Sequence, residues 1–239
     1  MKSIILTGNT NGIGKAIDEH LTALGYLVIG IDKNGDNKNT INYDLANLSE
    51  DSSCKELNHL INSKLNNTKC VALINNAAIQ ILGNILELSI KDFEQTLKTN
   101  LIAPLSLSKM MFKTLEANNG NIINIGSIHS KLTKPEFISY ATSKAGLAGL
   151  TKSMAVDFGN KVRINMISPA AVETNMLLSG FKNKKDLLKL KGTHPTQSIG
   201  TPSEIAQLVS FLIENNINFL NGANIELDGG ISSRLHDPV

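Results

Sequence analysis

The sequence has no tryptophan, and aromatic residues make up 4% of it. Its 23 lysines and arginines barely outnumber its 21 aspartates and glutamates, and they are scattered. A basic stripe interleaved with aromatics, the footprint of a nucleic-acid surface, is therefore missing. Cysteine is scarce: Cys54 and Cys70 stand apart, with neither metal spacing nor a disulfide framework. That scarcity favours a reducing, cytoplasmic home. No His, Cys and carboxylate cluster has metal-ligand spacing, so no catalytic metal is expected. Long apolar runs are also lacking. The first, Ile4–Leu6, ends at Thr7-Gly8, too short for a signal-peptide core, and no later stretch reaches bilayer-spanning length. A membrane partner is not expected.

What is present suits a globular chain. Of 239 residues, 41% are hydrophobic and 18% charged, an ordinary balance for one large α/β domain with a buried core. Short runs rich in Ile and Val predict strands at Ser3–Thr7, Leu27–Ile31, Val71–Ile74, Asn121–Ile125, Val162–Ser168 and Asn224–Leu227, with a weaker one at Thr40–Asn42. Helical patterns fall between them, at Ile13–Leu24, Ser53–Leu65, Ile90–Leu115, Tyr140–Phe158 and Glu204–Ile213. Near-continuous apolar strands alternating with helices predict a parallel sheet covered on both faces, and right-handed crossovers make it doubly wound. No linker or repeat divides residues 1–239, so a single domain is expected. The stretch 175–198 is polar, Lys-rich and weakly patterned, and reads as a flexible substrate flap that includes His194 as a structural residue.

The first strand runs into Thr7-Gly8-Asn9-Thr10-Asn11-Gly12-Ile13-Gly14 and then a helix. Glycines let a chain turn tightly and bring backbone N–H groups against a pyrophosphate, and a helix N-terminus adds its positive dipole end. Three residues separate Gly8 from Gly12, so this is not the standard dinucleotide fingerprint, and a sharp strand-to-helix turn would look the same. Asp32 closes the second strand, 18 residues after Gly14, where a carboxylate can accept hydrogen bonds from ribose hydroxyls and repel a 2′-phosphate. NAD is thereby favoured over NADP, with the adjacent Lys33 as the opposing charge.

From here the pattern resembles the short-chain dehydrogenase/reductase family, nearly from end to end. Gly8, Asn11, Gly12, Ile13 and Gly14 match that family's wide-spaced glycine turn, and Asp44-Leu45 resembles its aspartate beside the adenine. Asn75-Asn76-Ala77-Ala78 resembles an Asn-Asn-Ala-Gly segment, with Ala78 in the glycine place. Asn100 stands where the family kinks a helix and supports a water chain. Ser127, Tyr140 and Lys144 match its serine and Tyr-x-x-x-Lys. Ser168-Pro169-Ala170-Ala171-Val172-Glu173-Thr174 resembles the segment that holds the nicotinamide amide, with Ala170 replacing a glycine. Gly200-Thr201-Pro202 and Asp228-Gly229-Gly230 complete the pattern. The resemblance implies a Rossmann-type fold and cofactor contacts through Asn76, Ala77, Pro169, Val172 and Thr174. It also implies a homotetramer, in which Ile90–Leu115 and Tyr140–Phe158 pair between subunits.

Residues 140 and 144 share one helix face. An ammonium beside a phenol lowers its pKa from about 10, so Tyr140 is expected to exchange a proton with a carbonyl or alcohol oxygen. Ser127, at a strand's carboxyl end, is expected to hydrogen-bond that oxygen. The implied reaction is hydride transfer between NAD(H) and a carbonyl or secondary alcohol, catalysed by Asn100, Ser127, Tyr140 and Lys144. Gln80 and His129 resemble the acid pocket of 3-hydroxybutyrate dehydrogenases, although Phe137 stands where those enzymes carry a lysine. The preferred reading of the two is plainer: polar pocket-rim residues with no dedicated ligand. Two rivals remain: a non-catalytic NAD-binding sensor, for which the serine, tyrosine and lysine would be superfluous, and a nucleotide-sugar epimerase, for which about ten residues after Gly230 leave no substrate domain.

Overall fold

The computed structural model describes residues 1–35, 37–181 and 183–235. Seven parallel strands form one sheet, in the order β3-β2-β1-β4-β5-β6-β7. They are β1 (Lys2–Thr7), β2 (Leu27–Asp32), β3 (Thr40–Asn42), β4 (Lys69–Asn75), β5 (Asn121–Ile125), β6 (Arg163–Pro169) and β7 (Asn224–Leu227). The predicted doubly wound architecture is therefore the observed one. Side chains alternate across a strand, so Ile5, Ile29, Leu73 and Ile122 pack on one face, beneath α2 (Asp51–Leu65), α4 (Ala103–Ala117) and α5 (Ile138–Phe158). Ile4, Leu6, Val28, Ile74 and Ile123 pack on the other, beneath α1 (Gly12–Ala23) and α8 (Pro202–Glu214). Strand order reverses between β1 and β4. Their carboxyl ends flank the crevice where such sheets bind ligands.

Strand ends differ from expectation by a residue or two. The helices differ more. The expected Ile90–Leu115 is α3 (Ile90–Leu97), then a π-helical turn at Lys98–Ile102, then α4. The expected flap is largely helical, with α6 (Asn175–Leu178) and α7 (Lys184–Thr193). Their starts are capped: the Thr174 hydroxyl accepts from the Leu177 N–H at 3.3 Å, and the Asn183 side-chain Oδ1 from the Asp186 N–H at 3.0 Å. His194 is buried just after α7, with its Nδ1 3.0 Å from the Leu190 carbonyl.

Candidate active site

Gly8 takes a φ of +69° between β1 and α1, a left-handed conformation that favours glycine. The turn is fastened to the end of β4. The Thr7 hydroxyl accepts from the backbone N–H groups of Asn76 and Ala77, each at 2.9 Å, while Asn76 Nδ2 donates to the carbonyls of Thr7 and Gly8 at 3.0 Å. Gly14 lies so close behind Gly8 that a Cβ there would stand 1.8 Å from the Gly8 oxygen. Helix α1 opens with no side-chain cap from Asn11 and no acid in its first turn. Its leading N–H groups and dipole end are thus left to an anion.

A cavity of about 450 Å³ runs along this turn. At one end its wall includes Asp32, Lys33, Asp44 and Leu45, in the middle Asn11–Gly14 and Asn76–Ala78, and at the other end Gln80, Tyr140 and Lys144, with Thr174 alongside. Asp32 is almost fully buried. Its Oδ2 accepts from the Thr10 hydroxyl at 2.8 Å and the Thr10 N–H at 3.3 Å, and its Oδ1 from the Asn34 N–H at 2.9 Å. Asp44 caps the short helical turn Leu45–Ser49 through the Ala46 N–H. A carboxylate at one end, uncapped N–H donors in the middle and a buried ammonium at the other form a donor set that fits a nicotinamide dinucleotide. Pro169 and Val172 are not part of that wall as described. Pro169 closes β6, and Val172 is buried in the core and pairs with Gly200. Tyr43, Gln95 and Thr99 border the cavity without having been singled out in the sequence.

Tyr140 stands in the first turn of α5, and the Lys144 ammonium lies 5.6 Å from its ring centre. Lys144 is buried and donates to the Ile125 carbonyl at 2.8 Å. Burial lowers its pKa to about 8. The phenol moves the opposite way. Burial pushes Tyr140 above its ordinary 10, and a hydrogen bond with Ser127 draws it back by less. The expectation that the neighbouring ammonium lowers this pKa is thus corrected: desolvation sets the direction, and the Ser127 hydrogen bond opposes it.

Ser127 follows β5 and caps the turn Ile128–Ser130, its hydroxyl accepting from the His129 N–H at 3.2 Å. Asn100 is buried in the π-helical turn. Its Oδ1 accepts from the Ile79 N–H, and its Nδ2 donates to the Ile79 carbonyl, both at 2.9 Å, and to the Ser143 hydroxyl at 3.0 Å. Ser143 in turn donates to the Tyr140 carbonyl at 2.7 Å. Asn100 therefore joins the segment after β4 to the start of α5 rather than reaching Lys144 directly. His129 stacks on Phe137 at 4.6 Å and meets Tyr140 edge-on at 5.9 Å. Burial, reinforced by the charge of Lys134, lowers its pKa. Among the described residues no group of three or more His, Cys, Asp or Glu could hold a metal ion, and no helix is long and apolar enough to cross a membrane.

Residues 7–232 match the family model described as enoyl-(acyl carrier protein) reductase. A 3-oxoacyl-[acyl-carrier-protein] reductase from Buchnera aphidicola is 31% identical over 243 residues, covering 96% of this chain and 97% of the relative. The ligand-free aldohexose dehydrogenase of Thermoplasma acidophilum superposes with a TM-score of 0.90 at 29% identity, covering 100% of this chain and 96% of that one. A 4-hydroxyisoleucine dehydrogenase solved with NADH does so with 0.87 at 28%, covering 98% and 100%. Matches of that extent, in sequence and in fold alike, turn resemblance into membership: the chain belongs to the short-chain dehydrogenase/reductase family of oxidoreductases.

Proposed function

We propose that this protein transfers a hydride between NAD(H) and a carbonyl or secondary-alcohol substrate, with Tyr140 as the acid/base. One observation carries the reading: Tyr140 and Lys144 open on the same cavity as the uncapped start of α1 and the Asp32 carboxylate. The dinucleotide, when bound, supplies the hydride or takes it up. Ser127 hydrogen-bonds the substrate oxygen on which charge develops, and the Tyr140 hydroxyl gives that oxygen its proton in reduction and recovers it in oxidation. Lys144, with a pKa of about 8, is mostly cationic at neutral pH and offsets negative charge as it grows beside the phenol. Asn100 keeps the catalytic turn of α5 in place through Ser143. Asp32 carries the preference for NAD, because a carboxylate there opposes a 2′-phosphate.

We further read the segment around α6 and α7 as the substrate flap, since Thr174, its cap, borders the cavity. Gln80 lies on the cavity wall and His129 packs edge-on against Tyr140, so short hydroxy and keto acids belong in the substrate screen. That screen is a panel of alcohols, hydroxy acids and carbonyls followed at 340 nm with NAD(H) and NADP(H) in parallel. Turnover with NAD(H) is expected. Tyr140→Phe should reduce it by about 10²–10⁴-fold while leaving NADH affinity within about twofold, because the phenol hydroxyl is assigned to the substrate. NADH binding without turnover across the panel would favour the non-catalytic sensor instead. Full activity in Tyr140→Phe would remove the assignment.

A further inference from the structure

We infer that Thr10 is a positioning residue that sets coenzyme choice by holding the Asp32 carboxylate; the inference rests on the NAD reading above. Thr10 belongs to the glycine-rich turn, yet both its backbone N–H and its hydroxyl are committed to Asp32 Oδ2, at 3.3 and 2.8 Å. A carboxylate offers about four acceptor sites. Thr10 takes two, the Asn34 N–H takes a third at 2.9 Å, and about one is left, on Oδ1. Asp32 is 9% exposed, so bulk water does little to occupy it.

The donor is itself immobile. Next to Thr10, buried Asn9 donates through Nδ2 to Asp18 Oδ2 at 2.7 Å and to Thr40 Oγ1 at 3.0 Å. The Asn9 amide also packs over Gly30, where a Cβ would meet it at 2.2 Å. The stretch 9–10 is thus fastened to α1, β2 and β3 at once, and Thr10 transmits that rigidity to the carboxylate. Two consequences follow. Asp32 presents one acceptor, at a fixed place, to one ribose hydroxyl. Its negative charge also cannot swing aside, so a 2′-phosphate meets it at full strength. Preorganisation of this kind raises affinity for the matched ligand and widens the gap to the mismatched one.

The experiment measures dissociation constants of NADH and NADPH by nucleotide fluorescence, with no substrate present, for wild type, Thr10→Val, Thr10→Ser and Asp32→Asn. Thr10→Val removes the hydroxyl with little change of volume. It should weaken NADH about tenfold, the scale of one hydrogen bond to a charged group, and weaken NADPH less, so that their ratio narrows. Thr10→Ser should retain the wild-type ratio. Urea midpoints monitor folding, and Thr10→Ala is read the same way should the valine variant not fold. A folded Thr10→Val with the wild-type ratio, beside an Asp32→Asn variant that has lost it, would overturn the role of Thr10 alone. A wild type that binds NADPH as tightly as NADH would instead sink the NAD reading on which the inference stands.

Discussion

The Lys144 ammonium hydrogen-bonds the Ile125 carbonyl at 2.8 Å, two residues before Ser127 leaves the same strand. The lysine of the Tyr-x-x-x-Lys pair is thereby also the fastener between α5 and β5, and it sets the spacing between Tyr140 and Ser127. The carbonyl replaces only part of the hydration that burial removes, which is why the pKa still falls to about 8.

A stability signature follows from that burial. Lys144 titrates near 8 in the folded protein and near 10.5 when exposed. Between those values the unfolded chain binds more protons than the folded one, so stability from this group rises with pH across the window, and the desolvation cost is fully present below it. Lys144→Met removes the titration. Urea unfolding from pH 8 to 10.5 should then show a slope against pH smaller by up to about 1.4 kcal/mol per pH unit, together with loss of most turnover. Equal slopes in the two proteins would show that the pKa of this lysine does not fall on folding.

Ser127 draws the Tyr140 pKa down while burial raises it. Ser127→Ala leaves only the rise. In oxidation Tyr140 must accept the proton as its phenolate, so the rising limb of kcat/KM against pH should move to higher pH, and the plateau above that limb should fall by about 10²–10³-fold, as for loss of one donor to the reacting oxygen. A profile of unchanged shape, lowered uniformly, would confine Ser127 to holding the substrate and remove it from the tuning of Tyr140.

What the sequence exposed, and what it concealed, follows the range of the interactions. The glycine turn, the strand-end Asp32 and the 140/144 spacing are local, so they were legible, and so was the apolar alternation that builds the sheet. The break at Lys98–Ile102 was hidden, because the Asn100 side chain bonds to Ile79, 21 residues away, and to Ser143, 43 residues away. The shift at Tyr140 went the wrong way because spacing reveals a neighbouring charge but not the burial that outweighs it. Helices α6 and α7 are not evident in the sequence although their caps, Thr174 and Asn183, stand there; α6 is a single turn, and the Lys-rich sequence of α7 lacks the sustained apolar stripe that marks a helix. Asp32 was correctly placed at the end of β2. Its attachment to Thr10 depends on the fold of the turn and could not be read from spacing.

The turn itself offers the sharpest test, because two glycines of the same chain should respond in opposite directions to one added methyl. At Gly14 a Cβ would stand 1.8 Å from the Gly8 oxygen and 2.6 Å from Asn76 Nδ2. Neither can retreat: the Gly8 carbonyl accepts from that same Asn76 amide, which also holds the Thr7 carbonyl. Gly14→Ala should therefore force the turn open, costing about 3 kcal/mol or more and abolishing measurable NADH binding. At Gly149, on the exposed side of α5, a Cβ would meet nothing within 4 Å. Gly149→Ala should gain about 0.5–1 kcal/mol from helix propensity with NADH affinity unchanged. Urea midpoints and NADH titration on the two variants decide the matter. If Gly14→Ala kept both stability and affinity, the close approach of α1 to β1 that shapes the whole cleft would be wrong.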